Sequence, residues 1–120
     1  MSRPEVELLQ RAAALIEDKK GGRVVVVDLE GTTMPSSFFL IAEGENPLHV
    51  RAIADELRSR LPMEPIHSEG LKEGRWVLLD YGDFVVHLLH KEARAFYDLE
   101  GLWPADKVRP WPLTGGGAPV

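Results

Sequence analysis

The chain has 120 residues, enough for one domain with its own core and too few for two. It is 44% hydrophobic and 28% charged, lacks cysteine and carries a net charge of −5. The missing thiols exclude disulfides, cysteine nucleophiles and Cys-ligated metals, and no apolar run approaches the roughly 20 residues that span a bilayer. Between Glu64 and Asp106 nine acids face four bases, whereas the remainder balances, so the whole charge excess lies in the carboxyl-terminal half. Such a half repels phosphate backbones and attracts a basic partner, or serves simply as a solvated acidic surface.

Ser2-Arg3-Pro4-Glu5 has capping-box spacing. Leu8, Leu9, Ala12, Ala13, Leu15 and Ile16 follow at helical intervals, predicting an amphipathic helix over about 4–19 that Gly21-Gly22 ends. Its acids Glu5, Glu7, Glu17 and Asp18 break the pattern of an export signal, and cytoplasmic residence is the expectation. Val24 to Leu29, a largely β-branched run, suits a strand buried on both faces, and Phe38 to Ala42 makes a second strand. Asn46-Pro47 starts a helix whose apolar face is Val50, Ile53, Ala54, Leu57 and Leu61, stopped by Pro62. Pro65 to Glu69 reads as a short strand, and Trp76 to Asp80 and Phe84 to Leu89 as clear ones. Ala93 to Trp103 returns to helical spacing, and the tail 104–120, rich in Pro and Gly, reads as irregular. The fold class is therefore α/β: one small domain over 1–103, with a mixed sheet of about five strands and flanking helices.

If Tyr81-Gly82 is a two-residue hairpin loop, Asp80 faces Asp83 and Trp76 faces His87. Alternation then sorts Val77, Leu79, Phe84, Val86 and Leu88 onto one wholly apolar face, which must be core. The other face carries Trp76, Leu78, Val85, His87 and Leu89, with Asp80 and Asp83 at its turn end. An indole, an imidazole and two carboxylates on an apolar face suit a docking surface for a cationic partner. Alternatively, a helix covers that face, Trp76 is core and the aspartates are solvated turn residues.

Catalytic chemistry is hard to find. His87 and His90 point to opposite sides of a strand, and His49 and His67 lack ligand-spaced companions, so no metal or cofactor is expected. Asp28, Asp80 and Asp83 at strand ends could hold magnesium in a nucleotidyltransferase-like site, the alternative enzymatic reading. Gly44 before a helix could receive a phosphate, but Glu45 beside it would repel one. No phosphate loop or nucleophile elbow is present, and basic residues do not interleave with aromatics as nucleic-acid reading requires. Trp111 between two prolines is either a short docking element or a chance tail aromatic.

Several segments nevertheless match one family in order. They are Val25-Val26-Val27-Asp28-Leu29, Ser37-Phe38-Phe39-Leu40-Ile41 with Gly44, and His49-Val50-Arg51-Ala52-Ile53-Ala54-Asp55. Glu69-Gly70 and the run from Trp76 through Tyr81-Gly82-Asp83 to His87 follow, then Arg94, Phe96-Tyr97, Leu99-Glu100 and Leu102-Trp103. Together, over about 5–103, the chain resembles the ribosomal silencing factor (Iojap-like) family. It differs at Ser37, where the family has aspartate, and at Gly44-Glu45-Asn46, where the family has Gly-x-Ser.

The resemblance implies a fold shaped like a nucleotidyltransferase but without that activity. It implies docking on the large ribosomal subunit through that subunit's ribosomal protein fourteen, which blocks subunit joining and lowers translation when nutrients are scarce. The implied contacts transfer to Trp76, Asp80 and Tyr81, to which the hairpin geometry adds Leu78, Asp83 and His87. No membrane and no direct reading of nucleic acid are implied, and a homodimer of the free protein could close over the same face.

Overall fold

Six strands form one mixed sheet in the order β3-β4-β5-β2-β1-β6. The computed structural model describes residues 4–112. In chain order the elements are α1 (Pro4–Asp18), β1 (Gly22–Asp28), β2 (Phe38–Gly44), α2 (Pro47–Arg60), β3 (His67–Glu69), β4 (Trp76–Asp80), β5 (Phe84–His90), α3 (Lys91–Tyr97) and β6 (Val108–Pro110). A 3₁₀ turn, Leu99–Leu102, follows α3, and another, Ala105–Lys107, precedes β6. Only β2 and β5 pair in parallel, because α2 and the β3–β4 segment intervene between them. Among the described residues no helix is long and apolar enough to cross a membrane.

The sheet divides the interior into two cores. Leu9, Ala12, Ala13 and Ile16 of α1 and Val50, Ile53, Ala54 and Leu57 of α2 pack on Val26, Phe38, Leu40, Val77, Leu79, Phe84, Val86 and Leu88. These are the helical stripes and the hairpin face that the sequence predicts. The opposite face holds a smaller core of Val27, Leu29, Phe39, Ile41, Val85, Leu89, Ala93 and Leu99. Strands with apolar residues on both faces need cover on both sides. All seven residues of β2 are accordingly buried.

Local chemistry sets the α2 boundaries as expected. The Asn46 side chain accepts from the His49 amide at 2.9 Å, Pro47 occupies the first turn, and Leu61 in extended geometry closes the helix ahead of Pro62. The capping box predicted at Ser2 lies outside the described residues.

Four expectations need correction. The end of α1 is made by Lys20 at φ 65, not by glycine; Gly21 instead lets the chain pass Ile16, whose Cγ2 would lie 2.4 Å from an added Cβ. The predicted helix over Ala93 to Trp103 breaks at Asp98, which is left-handed at φ 45, and resumes as the 3₁₀ turn. The hairpin register is displaced by two residues: Asp80 faces Val85, Leu78 faces His87 and Trp76 faces Leu89. Tyr81 N donates to Phe84 O, so the tight turn is Gly82-Asp83, with Gly82 at φ 90 and its amide bonded to Asp80 Oδ1 at 2.8 Å. A two-residue slip preserves the alternation, so both faces survive, but the aspartate pair facing each other does not.

The fourth correction concerns the tail, which is not irregular throughout. Val108–Pro110 pairs with β1 as a sixth strand, Trp111 N donates to Val24 O at 2.8 Å, and the Trp111 ring packs against the larger core. A three-residue Val-Arg-Pro strand has no periodicity to read; β1 pairing creates it. Pro110 suits an edge position, having no amide to leave unpaired.

The helix α3 buries only Ala93 and Arg94. Arg94, 2% exposed, donates through Nε and Nη2 to Glu100 Oε2 at 3.2 and 2.9 Å, and through Nη1 to Glu43 Oε1 at 3.4 Å. Its guanidinium thus ties α3 to the 3₁₀ turn and to β2. Arg94→Ala is expected to destabilise the fold by about 3 kcal/mol, because it strands two carboxylates in a desolvated site. Urea unfolding checks this, and a loss below 1 kcal/mol would mean that Arg23, 3.6 Å from Glu43, suffices as its partner.

Candidate functional site

Trp76 and Leu78 stand on the smaller-core face of β4, each partly buried. Beside them an open groove of about 320 Å³ is lined by Glu69, Gly70, Trp76 and Leu78. At Gly70, φ is 77 and an added Cβ would lie 2.0 Å from Trp76 O, so only glycine lets β3 turn this close to β4. The turn therefore fixes one groove wall against the indole.

The indole is held from within the chain. Trp76 Nε1 donates to His87 Nδ1 at 3.1 Å across the strand pair, and the Tyr97 ring lies 4.9 Å away on the other side. Phe39 meets the His87 ring edge-on at 4.5 Å and Trp103 at 6.0 Å. Tyr97, Trp76, His87, Phe39 and Trp103 form a continuous aromatic row that stiffens the site. Nδ1 accepts the indole proton, which leaves the single proton of a neutral imidazole on Nε2, where no partner among the described residues meets it. Burial lowers the His87 pKa from 6.5 to about 4, so the ring is neutral near pH 7.

The residues predicted for the site part company here. Trp76 and Leu78 share the groove. Asp80, partly buried, faces the same way, but its Oδ1 is committed to the turn, and Asp83 is exposed within it. His87 lies beneath the indole, 4% exposed, and supports the surface without forming it. Tyr81 is turned away: 2% exposed, it belongs to the larger core and stacks on Phe84 at 5.2 Å. Burial raises its hydroxyl to about 12, with nearby Arg58 working against the rise. The alternation 77, 79, 81 places Tyr81 on the wholly apolar face, and that signal was present in the sequence.

Two neighbours were not anticipated. Phe96, 76% exposed, and Tyr97 lie in the stretch of helical spacing, but α3 buries Ala93 and Arg94, which turns the two aromatics outward. Their rings meet edge-on at 5.0 Å, with the Arg75 guanidinium 5.8 Å from the Tyr97 centroid. An arginine in the buried register of a seven-residue helix was the unreadable step.

The carboxylates do not assemble a metal centre. Asp28 and Asp80 lie three inter-strand spacings apart, about 14 Å, and Asp28 Oδ1 accepts from the Glu30 amide. Among the described residues no group of three His, Asp or Glu side chains could hold a metal ion. Gly44 is a packing glycine, since its Cβ would lie 2.9 Å from Val50 Cγ2, and Glu45 pairs with Lys91 at 2.8 Å. His49 braces helix ends, accepting from Glu45 N and bonding to Lys19 O.

The family model described as "Ribosomal silencing factor during starvation" matches residues 2–115. The chain is 44% identical over 100 residues to a ribosomal silencing factor of Halalkalibacterium halodurans, covering 81% of this chain and 86% of that protein. It is 40% identical over 99 residues to the ribosomal silencing factor of Bacillus subtilis, covering 80% and 84%. A crystal structure of a Chromobacterium violaceum protein superposes with a TM-score of 0.77 at 33% identity, covering 81% of this chain and 83% of that one.

The buried imidazole makes stability depend on pH. The unfolded state binds a proton at His87 below its ordinary 6.5, whereas the folded state resists until about 4. Its contribution is thus complete above pH 6.5 and is lost as pH falls toward 4. Between pH 7 and 5 the wild type should lose roughly 2 kcal/mol more than His87→Asn, compared by urea unfolding. Parallel pH curves would mean that the folded protein protonates this ring freely.

Proposed function

This chain belongs to the ribosomal silencing factor family, and we propose that it represses translation by docking on the large ribosomal subunit and occluding the surface the small subunit must meet. The partner in this reading is ribosomal protein fourteen of the large subunit, the setting is the cytoplasm, and nutrient limitation is the occasion. The observation that carries it is the groove beside Trp76. A stiff indole, oriented by the His87 hydrogen bond and braced by Tyr97, borders open apolar space next to Leu78. An anchor already ordered in the free protein loses little side-chain entropy on binding. Glu69 on the groove wall and exposed Asp83 at the hairpin tip supply negative charge for a basic protein.

Occlusion needs no reaction, and the proposed role is non-catalytic, without metal or cofactor. The magnesium-dependent nucleotidyltransferase reading lacks support, because its aspartates are spent on turns and spread across the sheet. The same apolar groove would let two free copies pair, which light scattering reads directly.

Co-sedimentation with purified large subunits tests the docking. Trp76→Ala should weaken binding by about 2–4 kcal/mol, the scale of a hot-spot aromatic. Leu78→Glu, which leaves the Trp76–His87 bond intact, should weaken it as well, and binding unchanged by both would remove the groove from the interface. Raising salt should also lower affinity, as an acidic surface meets a basic one; affinity flat across the salt range would sink that electrostatic part.

A further inference from the structure

On the far side of the β3–β4 loop lies a second groove of opposite character. Its volume is about 480 Å³, and Leu48, Ala52 and Leu71 line it together with Arg51, Arg58 and Lys72, with Asp55 as the only acid among the lining residues. Net positive charge collected on one face is notable in a chain of net charge −5. Arg51 and Arg58 are seven residues apart, two helical turns, so both project from the same side of α2 about 10 Å apart.

The groove is built rather than incidental. Arg51 Nη1 donates to Lys72 O at 2.8 Å, which fixes the loop against the helix. Gly74, at φ 72, lets that loop close: an added Cβ would lie 2.5 Å from Pro47 O. Lys72 has no ion-pair partner among the described residues, and Arg58 reaches Asp55 only at 3.8 Å. The opposing charges nearby are Glu73, exposed beside Lys72, and Glu64, across Arg58 in an adjoining hollow.

We infer that this α2 groove is a contact for the phosphodiester backbone of an RNA strand. Guanidinium groups match phosphate oxygens through paired donors, and an elongated row of cations fits a polyanion better than a single carboxylate. No aromatic ring lines the groove for bases to stack on. The contact therefore positions the protein and reads no sequence. Glu69 at the end of β3 and Gly70 of the following loop line the Trp76 groove, and Leu71 and Lys72 of the same loop line this one. A molecule gripping a basic protein with the first would hold the second ready for RNA phosphates around it.

The test uses the full-length free protein and a fluorescein-labelled uridine 12-mer, read by anisotropy at low ionic strength. Wild type should bind, with affinity falling as salt rises. Arg58→Gln with Lys72→Gln, both exposed side chains, should lose at least tenfold and flatten the slope of log affinity against log salt by about 1.4. Trp76→Ala should stay within twofold of wild type. Undetectable wild-type binding, an unchanged double variant, or a polyglutamate peptide competing as well as unlabelled RNA would each overturn the assignment. Because no ribosome is present, none of these outcomes bears on docking through Trp76, and failure of that docking would not move this readout.

Discussion

A single buried guanidinium sets what the surface of this protein can be. Arg94 occupies the inward register of a helix with only seven residues and bridges Glu100 on the following turn and Glu43 on β2. Burial pushes the Glu100 carboxyl up, but the Arg94 hydrogen bond and charge outweigh it and hold the group below its ordinary value. Such a network is costly to desolvate, and hydrophobic residues of similar volume often stabilise as well or better. What it provides here is placement, because an arginine reaching two partners fixes both where α3 sits and how far it extends.

That placement explains why the two sheet faces differ. Two long helices with unbroken apolar stripes seal the larger core, whereas the smaller one is closed by one short helix and a 3₁₀ turn. The short cover meets Trp76 only through Tyr97 at its end and leaves Trp76 and Leu78 partly exposed, so β4 keeps a partly open apolar flank. His87 is left in an intermediate state: enclosed enough to stay neutral, close enough to orient the indole. Affinity for a partner and stability of the fold thus share the same aromatic row. The β3–β4 loop links the apolar groove to the cationic one, so a change of loop length would disturb both.

Several features were legible because they are local. Asn46-Pro47 announces a helix start by hydrogen bonding within one turn, the α1 and α2 stripes announce buried faces, and the alternation of β4 and β5 sorts two faces whatever the register. The hairpin turn was misplaced because Tyr81-Gly82 and Gly82-Asp83 are equally acceptable as turn dipeptides, and what decides is the Tyr81 ring being drawn into the larger core beside Phe84. Strand β6 escaped notice for a related reason: its partner β1 is some eighty residues earlier, and nothing within Val108–Pro110 points to it.

The sequence by itself determined the α/β class, both long helices, the composition of each hairpin face and the family, since these rest on periodicity, capping and ordered motifs along the chain. Tertiary structure alone decided that His87 withdraws from the surface while Phe96 and Tyr97 emerge. It also gathered Arg51, Arg58 and Lys72 into one groove. The physical reason is the same in each case. Exposure depends on how much of a face a neighbouring element happens to cover, and charge density depends on which distant segments meet. Neither quantity is a property of any stretch of chain taken alone.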